Sequence, residues 1–155
     1  MSNETADLMR TDNQFIHPWD DIAKLGKNER TVVEKGDGIY VFDSDGKRFL
    51  DGPGGMWCVN IGHGREEMAR AIYDQSMQLS YTSPWGVTTR PAVKFSEALT
   101  AEAPGDLNHV FFTTGGSTAV DSALRFVQFY NNVRGKPKKK HIISHKKGYH
   151  GSTYL

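Results

Sequence analysis

The chain has 155 residues, of which 37% are hydrophobic, and its 19 basic and 18 acidic residues leave a net charge of +1. This balance points away from nucleic acid and from an anionic membrane as partners. The sequence holds no apolar run near the roughly 18 residues that a membrane span needs, and it opens without the features of a signal peptide, so we expect a cytoplasmic protein. The single cysteine, Cys58, excludes an internal disulfide and a multi-cysteine zinc site.

The first half of the chain is predicted to hold a small antiparallel sheet followed by two helices. In residues 31–51, β-branched and aromatic runs are separated by Asp-Gly pairs, which is the pattern of a meander. Apolar residues at helical spacing then predict a helix over residues 65–79. A second helix is predicted to begin near Pro91, a residue suited to a first helical position, and to end before Pro104.

The second half has the order of a β-α-β unit. Residues 108–114 form a short strand-like run, after which a helical pattern opens at Ser117 and is stopped by Gly135. Residues 141–144 form another strand-like run. This order predicts two parallel strands joined by a right-handed crossover, and therefore a fold of the α/β class.

Two loops follow the carboxyl ends of these predicted strands, where ligands collect in open α/β sheets. In the loop of residues 113–118, paired glycines and hydroxyls stand beside the free N–H groups of a helix start, which favours phosphate. In the loop of residues 146–151, glycines on both sides of Tyr149 allow its ring to face the same space. Together the loops suit a flat, phosphorylated ring. By itself, the first loop is equally well explained as a strand-to-helix turn with a serine cap.

Other site classes receive less support from the sequence. The chain has neither the G-x-x-x-x-G-K-[ST] motif of nucleoside triphosphate sites nor the third glycine of a dinucleotide fingerprint. Of the histidines, His141, His145 and His150 lie closest together. A spacing of four residues brings two side chains together on a helix but only poorly on the predicted strand, and no acidic residue lies between His141 and His145, so we predict no metal site.

Three segments in this order resemble one known family. They are Asp51-Gly52 with Met56-Trp57-Cys58-Val59-Asn60-Ile61-Gly62-His63-Gly64, then residues 112–119, then Tyr149-His150-Gly151. With the meander, they resemble the class III (ω-type, subgroup II) aminotransferases, which use pyridoxal phosphate, and the resemblance covers the chain from about Phe15. It implies an α/β protein of the pyridoxal-phosphate-dependent type I fold. Residues 1–64 would form an N-terminal segment with the small-domain meander, and residues 65–155 the start of the large cofactor-binding domain.

The resemblance assigns cofactor roles to individual residues. It implies that Gly116 and Ser117 bind the cofactor phosphate and that Tyr149 stacks on or beside the pyridine ring. His150 is assigned to the same cofactor site, and a turn histidine with no role is the alternative. Where relatives commonly carry Ser-Gly-Ser-Glu-Ala, this chain has Gly-Gly-Ser-Thr-Ala over residues 115–119.

The resemblance also implies a substrate pocket and a partner subunit. Trp57 lines the pocket and Trp19 borders it. Pro84 and Trp85 match a loop that reaches the active site of the partner subunit, in a homodimer with shared active sites. The alternative for each tryptophan is an ordinary core or interface aromatic.

The implied activity is the transfer of an amino group between an amine or ω-amino acid and a keto acid such as pyruvate. An aminomutase or a decarboxylating transaminase uses the same cofactor cradle and stays open, as does a non-catalytic N-terminal fragment. Lys146 and Lys147 are interpreted as solvated side chains. The lysine that forms the Schiff base in the family is expected beyond Leu155, so we expect the 155-residue chain alone to be inactive.

Overall fold

The computed structural model describes residues 3–27 and 30–153. Contacts divide the chain after Tyr81 into an amino-terminal and a carboxyl-terminal unit. The amino-terminal unit contains helix α1 (Asn3–Thr11), two 3-10 turns (Asp12–Gln14 and Ile22–Lys24), strands β1 (Val33–Asp37), β2 (Tyr40–Asp43) and β3 (Arg48–Leu50), the one-turn helix α2 (Gly54–Trp57) and helix α3 (Glu66–Gln78). The carboxyl-terminal unit contains helices α4 (Arg90–Glu102) and α5 (Gly116–Val133).

The three strands form the predicted antiparallel meander, in the order β1-β2-β3. Tyr40 pairs with Asp37 on one side and with Leu50 on the other. In the second turn the Asp43 carboxylate accepts hydrogen bonds from the amides of Asp45 and Lys47, at 3.0 and 2.8 Å. Asp43 thus satisfies the turn backbone, Gly46 of the Asp-Gly pair adopts a φ of 80°, and the predicted meander is confirmed.

Helix α1 is not among the predicted elements. Its link to the sheet is polar, because the Thr5 hydroxyl donates a hydrogen bond to the Ser44 hydroxyl at 2.9 Å. Thr5 is only 5% exposed. Helix α1 has only nine residues, and most of them are polar, so it lacks the long apolar stripe that predicts the other helices.

The three longer helices confirm the predicted ones. Helix α3 occupies 66–78 of the predicted 65–79. Helix α4 has Pro91 in its first turn and is capped by Thr89, whose hydroxyl accepts a hydrogen bond from the Ala92 amide at 3.4 Å. Helix α5 begins one residue before Ser117 and is followed by Gly135, at a φ of 69°.

The two strands predicted over residues 108–114 and 141–144 are wrong as secondary structure. Neither segment pairs with another strand among the described residues, so the predicted parallel crossover is not formed there. Extended backbone becomes a strand only when a neighbour shares its hydrogen bonds, and a local pattern does not identify that neighbour.

The segment of residues 108–114 nevertheless has helices on two sides. Phe111 contacts Phe126 of α5 edge-on, with 5.6 Å between ring centroids. Phe112 stacks on Phe95 of α4 at 5.5 Å. Successive side chains of this segment therefore contact different helices, which is how a strand covered on both faces behaves.

The helices of this chain keep much of their apolar surface exposed. No apolar side chain is buried within the described ranges. Phe129 and Val133 of α5 are 67% and 70% exposed, and Ile143, outside the helices, is 96% exposed. Apolar surface of this extent is typical of interaction sites. In the described ranges, no helix combines the length and the apolar character that crossing a membrane requires.

Helix α2 has an unusual backbone. All four of its residues have positive φ angles: 55° at Gly54, 58° at Gly55, 55° at Met56 and 69° at Trp57. Glycine reaches this left-handed region freely, whereas a residue with a Cβ atom loses about 1–2 kcal/mol there. Met56 and Trp57 therefore need surrounding contacts that hold them in place.

Asp51 and His63 contact the start of this turn. The Asp51 carboxylate, 14% exposed, lies 2.9 Å from His63 Nε2 and accepts a hydrogen bond from the Gly55 amide at 3.4 Å. The backbone of His63 exchanges two hydrogen bonds with Gly38, at 2.8 and 3.1 Å. A Cβ atom on Gly36 would lie 2.4 Å from the His63 ring, so only glycine fits beneath it. The β1–β2 hairpin therefore anchors His63, and His63 anchors Asp51.

The Asp51–His63 pair predicts an acid-linked loss of stability. The hydrogen bond from His63 is the main cause that lowers the pKa of Asp51. A carboxylate with a lowered folded-state pKa stabilises the fold above its unfolded value, at about pH 4, and the stabilisation is lost as the pH falls through the folded value. We expect Asp51→Asn to lower the melting temperature at pH 7, and the gap from the parent to narrow below about pH 4.

Thermal melts of both proteins from pH 7 to pH 3 measure this gap. The same substitution in a His63→Phe background is the control, and there the pH-dependent part of the gap should largely disappear. A gap of constant size at every pH would show that Asp51 acts through packing alone.

Candidate functional site

The two loops predicted to bind a ligand meet in the carboxyl-terminal unit. The Ser117 hydroxyl, in the first turn of α5, lies 3.3 Å from the Tyr149 hydroxyl. The Ser152 amide donates a hydrogen bond to Ser117 Oγ at 3.2 Å, and the Tyr149 hydroxyl contacts Ser152 Oγ at 3.4 Å. The hydroxyl groups of Ser117, Tyr149 and Ser152 thus form one cluster, although Ser117 and Tyr149 are 32 residues apart in the chain.

Gly151 permits this approach. Its φ of 121° lies in a region that residues with side chains rarely adopt. A Cβ atom at this position would also lie 3.1 Å from Ser117 Cα and 3.3 Å from Ser117 Cβ. The glycine is therefore needed both for its conformation and for the space that it leaves to helix α5.

The amino terminus of α5 is suited to an anion. Its N-cap is Gly115, and within the described part of the chain no side chain caps it. The first turn carries no acidic residue, and the helix has 18 residues. The Gly115 carbonyl instead accepts hydrogen bonds from the hydroxyls of Thr113 and Thr118, at 3.1 and 2.8 Å. The first N–H groups of α5 are thus left for a partner other than a side-chain cap.

The four predicted substrate-pocket residues lie in both units. Trp19 and Trp57, in the amino-terminal unit, have φ angles of 61° and 69°. Bulky residues are rarely found there, and such outliers are concentrated at functional sites. Trp85, in the carboxyl-terminal unit next to Pro84, is 93% exposed, and its amide donates a hydrogen bond to Ser83 Oγ at 3.4 Å.

Comparison with known proteins identifies the family. The model of the class-III aminotransferase family matches residues 22–155. The chain belongs to this family. It is 40% identical to the putrescine–pyruvate aminotransferase of Pseudomonas aeruginosa, over 91% of this chain and 31% of the relative. It is 42% identical to a probable aminotransferase of Mycobacterium tuberculosis, over 87% of this chain and 29% of the relative. The chain thus spans about a third of the length of these curated relatives.

Solved structures of transaminases resemble this aminotransferase chain closely. A transaminase from the marine bacterium Virgibacillus is 39% identical, with a TM-score of 0.89 over 95% of this chain and 34% of that one. An (S)-enantioselective ω-transaminase from Thermomicrobium roseum is 34% identical, with a TM-score of 0.87 over 94% of this chain and 33% of that one. Class-III aminotransferases depend on pyridoxal phosphate, and these neighbours have fold type I. The predicted family, fold class and cofactor are confirmed.

In this aminotransferase chain, the His150 ring packs against the loop that carries it. A Cβ atom added to Gly148 would lie 2.7 Å from His150 Nε2, so the ring is folded over Gly148. The Gly148 amide closes the preceding turn by donating to the His145 carbonyl at 3.0 Å. Lys147, in that turn, has a φ of 63°. The assignment of His150 to the cofactor site stays a prediction.

Sequence reasoning missed the ionic group around the turn that carries Trp19. His17 Nε2 lies 2.8 Å from Asp12 Oδ1, and Arg30 Nε lies 3.0 Å from Asp12 Oδ2. The Arg30 guanidinium also contacts the Asp20 carboxylate. This network and the Asp51–His63 pair each flank a tryptophan with positive φ. A histidine set between two glycines was the available sequence signal for His63, and no comparable signal marked Arg30.

His141, His145 and His150 do not belong to a metal-binding group in the described part of the chain. Across residues 3–27 and 30–153, no three His, Cys, Asp or Glu side chains are arranged to hold a metal ion.

The contact between Ser117 and Tyr149 predicts a measurable titration. The hydrogen bond with Ser117, followed by that with Ser152, lowers the pKa of Tyr149 because both favour the charged phenolate. Ser117→Ala should therefore raise the pKa of Tyr149 towards its ordinary value. A titration of ¹³Cζ-labelled tyrosine by NMR, in cofactor-free protein, measures the change.

Ser122→Ala is the matched control for this titration, because Ser122 lies on the same helix and bonds to the Thr118 carbonyl at 2.8 Å. Ser122→Ala should leave the pKa of Tyr149 as it is in the parent. An identical Tyr149 titration in the parent and in Ser117→Ala would mean that the two hydroxyls do not interact in solution.

Proposed function

We propose that the full-length protein is a pyridoxal-phosphate-dependent aminotransferase that moves an amino group between an amine or ω-amino acid and a keto acid such as pyruvate. Family membership supports the reaction class. The name of the Pseudomonas aeruginosa relative, a putrescine–pyruvate aminotransferase, supports an amine donor and pyruvate as acceptor. The observation that carries the proposal is the contact of Ser117 with Tyr149, because it joins a hydroxyl at a helix start to an aromatic ring.

The start of α5 fits the phosphate group of the cofactor. The amides of Gly116 and Ser117 lie at the positive end of the helix, where an anion is stabilised by the N–H groups and the helix dipole. Ser117 Oγ accepts a hydrogen bond from the Ser152 amide. Its single proton can then be donated either to Tyr149 or to a phosphate oxygen. We assign Gly116 and Ser117 to the phosphate on these grounds.

Tyr149 and His150 are assigned to the cofactor ring. When bound, pyridoxal phosphate supplies an electron sink for the substrate carbon that loses its proton. The role proposed for Tyr149 is to orient the ring, with the hydrogen bond to Ser117 setting the spacing between the ring and the phosphate. His150 is proposed to support the same loop through its ring over Gly148.

The proposed active site also needs residues other than those of the two loops. We propose that residues 1–64 form the N-terminal segment with the small-domain meander, and residues 65–155 the start of the large cofactor-binding domain. The lysine for the Schiff base is proposed to follow Leu155, which is outside the described residues, so that the 155-residue chain alone is inactive. The exposed apolar faces of the helices support this arrangement, since they need further polypeptide to cover them. A cytoplasmic location stays a prediction from the sequence.

The substrate pocket is proposed to be shared within a homodimer. Trp19 and Trp57 border the pocket, and Pro84 and Trp85 reach the active site of the partner subunit. The exposure of Trp85 supports this role, because a tryptophan that is 93% exposed gains most from a partner surface.

The reaction is tested with full-length protein, pyridoxal phosphate, putrescine and pyruvate. We expect alanine to form only when the amine, pyruvate and the cofactor are all present. Residues 1–155 alone, under the same conditions, should form none. If a panel of amines and ω-amino acids gives no amino transfer to any keto acid, the proposed function is wrong.

Variants at the start of α5 test the cofactor assignment in full-length protein. Ser117→Ala should weaken cofactor retention by about 1.5–3 kcal/mol, the worth of one hydrogen bond to a charged group. Gly116→Val should weaken it more, because its side chain would stand where the backbone approaches the phosphate. A Cβ atom at Gly116 meets no described atom of the chain within 4 Å, so its effect reports on the ligand rather than on folding.

Dialysis followed by the cofactor absorbance measures retention, with Ser122→Ala as the control on the same helix. Retention equal to that of the parent in both variants would mean that this loop is only a turn.

Substitutions at Trp85 test whether the two subunits share the active site. Trp85→Ala should weaken the dimer by about 2 kcal/mol or more and alter the preference between bulky and small amines, whereas Trp85→Phe should retain most of both properties. Analytical ultracentrifugation gives the dimer dissociation constant, and kcat/KM for two amines gives the preference. A variant that is less stable to heat but unchanged in both measurements would show that Trp85 packs on its own subunit.

A further inference from the structure

The turn that carries Trp57 is held by hydrogen bonds at both of its ends. Gly54, Gly55, Met56 and Trp57 follow one another with positive φ angles. Inside the turn, the Trp57 amide donates to the Pro53 carbonyl at 2.9 Å. The Trp57 side chain itself is 75% exposed. Packing of the indole therefore does not fix the turn. The Val59 amide closes its far end by donating to the Gly54 carbonyl at 2.9 Å, and the contacts with the sheet lie at its start.

Asp51 supplies the contacts on the turn side. Its carbonyl accepts a hydrogen bond from the Gly54 amide at 3.1 Å, and its carboxylate accepts one from the Gly55 amide at 3.4 Å. Both acceptors belong to one residue, and both donors are the first two residues of the turn. Asp51 therefore holds the start of the turn, through its backbone carbonyl and through its carboxylate.

His63 supplies the contacts on the sheet side. Its Nε2 meets the second oxygen of the Asp51 carboxylate at 2.9 Å. Its backbone is paired with Gly38, and its ring fills the space that Gly36 leaves open. A chain of direct contacts thus runs from the β1–β2 hairpin through His63 and Asp51 to the backbone on which Trp57 stands.

We propose that Asp51 and His63 are positioning residues that fix the direction of the Trp57 indole and thereby set the size of the amine that the enzyme accepts. This inference rests on the proposed function, in which Trp57 borders the substrate pocket. Neither side chain needs to touch the substrate. Their effect is transmitted through the backbone of residues 54–57, whose left-handed conformation persists only while its surroundings enforce it.

The experiment uses the full-length protein loaded with pyridoxal phosphate and compares four variants. His63→Phe keeps a ring over Gly36 and removes the hydrogen bond to Asp51. His63→Gln keeps a donor near the position of Nε2. Asp43→Ala is the matched control, because it breaks carboxylate–amide bonds in the same sheet, at the β2–β3 turn. Trp57→Ala removes the indole itself.

The first readout is the ratio of kcat/KM for an aryl-bearing amine to that for a small aliphatic amine. His63→Phe should change this ratio on the order of tenfold, mainly through KM, whereas His63→Gln and Asp43→Ala should stay near the parent. In the Trp57→Ala background, His63→Phe should leave the ratio unchanged, because the side chain that it positions is gone. An equal effect of His63→Phe with and without Trp57, or no change in the ratio, overturns the proposal.

The second readout does not depend on activity. Protein labelled with 5-fluorotryptophan gives a ¹⁹F resonance for Trp57, which is assigned by Trp57→Phe. His63→Phe should shift or broaden this resonance, while Asp43→Ala should not. An unmoved resonance in His63→Phe overturns the positioning role. Failure of the parent to transaminate any amine, with the resonance moving as expected, instead places the error in the proposed function.

Discussion

The close approach of residues 148–152 to the first turn of α5 is the constraint on which the candidate cofactor site depends. Ser117 and Tyr149 are 32 positions apart, and their hydroxyls meet only because Gly151 brings no side chain against Ser117. Ser117 Oγ then takes part in two interactions at once, as acceptor for the Ser152 amide and as neighbour of the Tyr149 hydroxyl. A hydroxyl that is already oriented by the protein loses little conformational freedom when it binds an anion. The site is therefore organised before any cofactor arrives.

Backbone strain occurs at two of the four positions to which family resemblance assigns a pocket role. Trp19 and Trp57 have φ angles of 61° and 69°, and Met56, next to Trp57, has one of 55°. The Arg30 network includes Asp20, the residue next to Trp19, and the Asp51–His63 pair lies at the base of α2. Bulky side chains in the left-handed region project in directions that ordinary turns do not provide. Rigid anchoring of such turns is a physical way to present an exposed indole at a fixed place.

The exposed apolar surface of the helices means that apolar burial contributes little to the order of this chain by itself. The helices are amphipathic, yet side chains such as Phe129 and Val133 are more than half exposed. Local order in the two units instead comes from helix hydrogen bonds, the meander and polar contacts such as that between Thr5 and Ser44. The aromatic contacts of Phe111 and Phe112 with the two neighbouring helices show how the apolar faces begin to assemble around residues 108–114.

Local pattern by itself determined the elements whose interactions are short in range. The meander follows from Asp-Gly turns between β-branched runs, α4 from Pro91 and the cap that precedes it, and α5 from its apolar spacing. The meeting of loops 113–118 and 146–151 was also predicted, because both follow the carboxyl ends of strand-like segments. Family, fold type and cofactor followed from motifs in a fixed order, and the comparisons confirm them.

Only the tertiary structure decided the rest, because it depends on contacts between residues far apart in the chain. Residues 108–114 and 141–144 have the composition of strands, but a strand needs a hydrogen-bonded neighbour that no local pattern identifies. Asp51 and His63 are twelve positions apart, and their contact becomes visible only when the β1–β2 hairpin brings Gly36 and Gly38 against the histidine. The positive φ angle of Trp57 is likewise a feature of the folded chain, since a tryptophan alone does not favour the left-handed region.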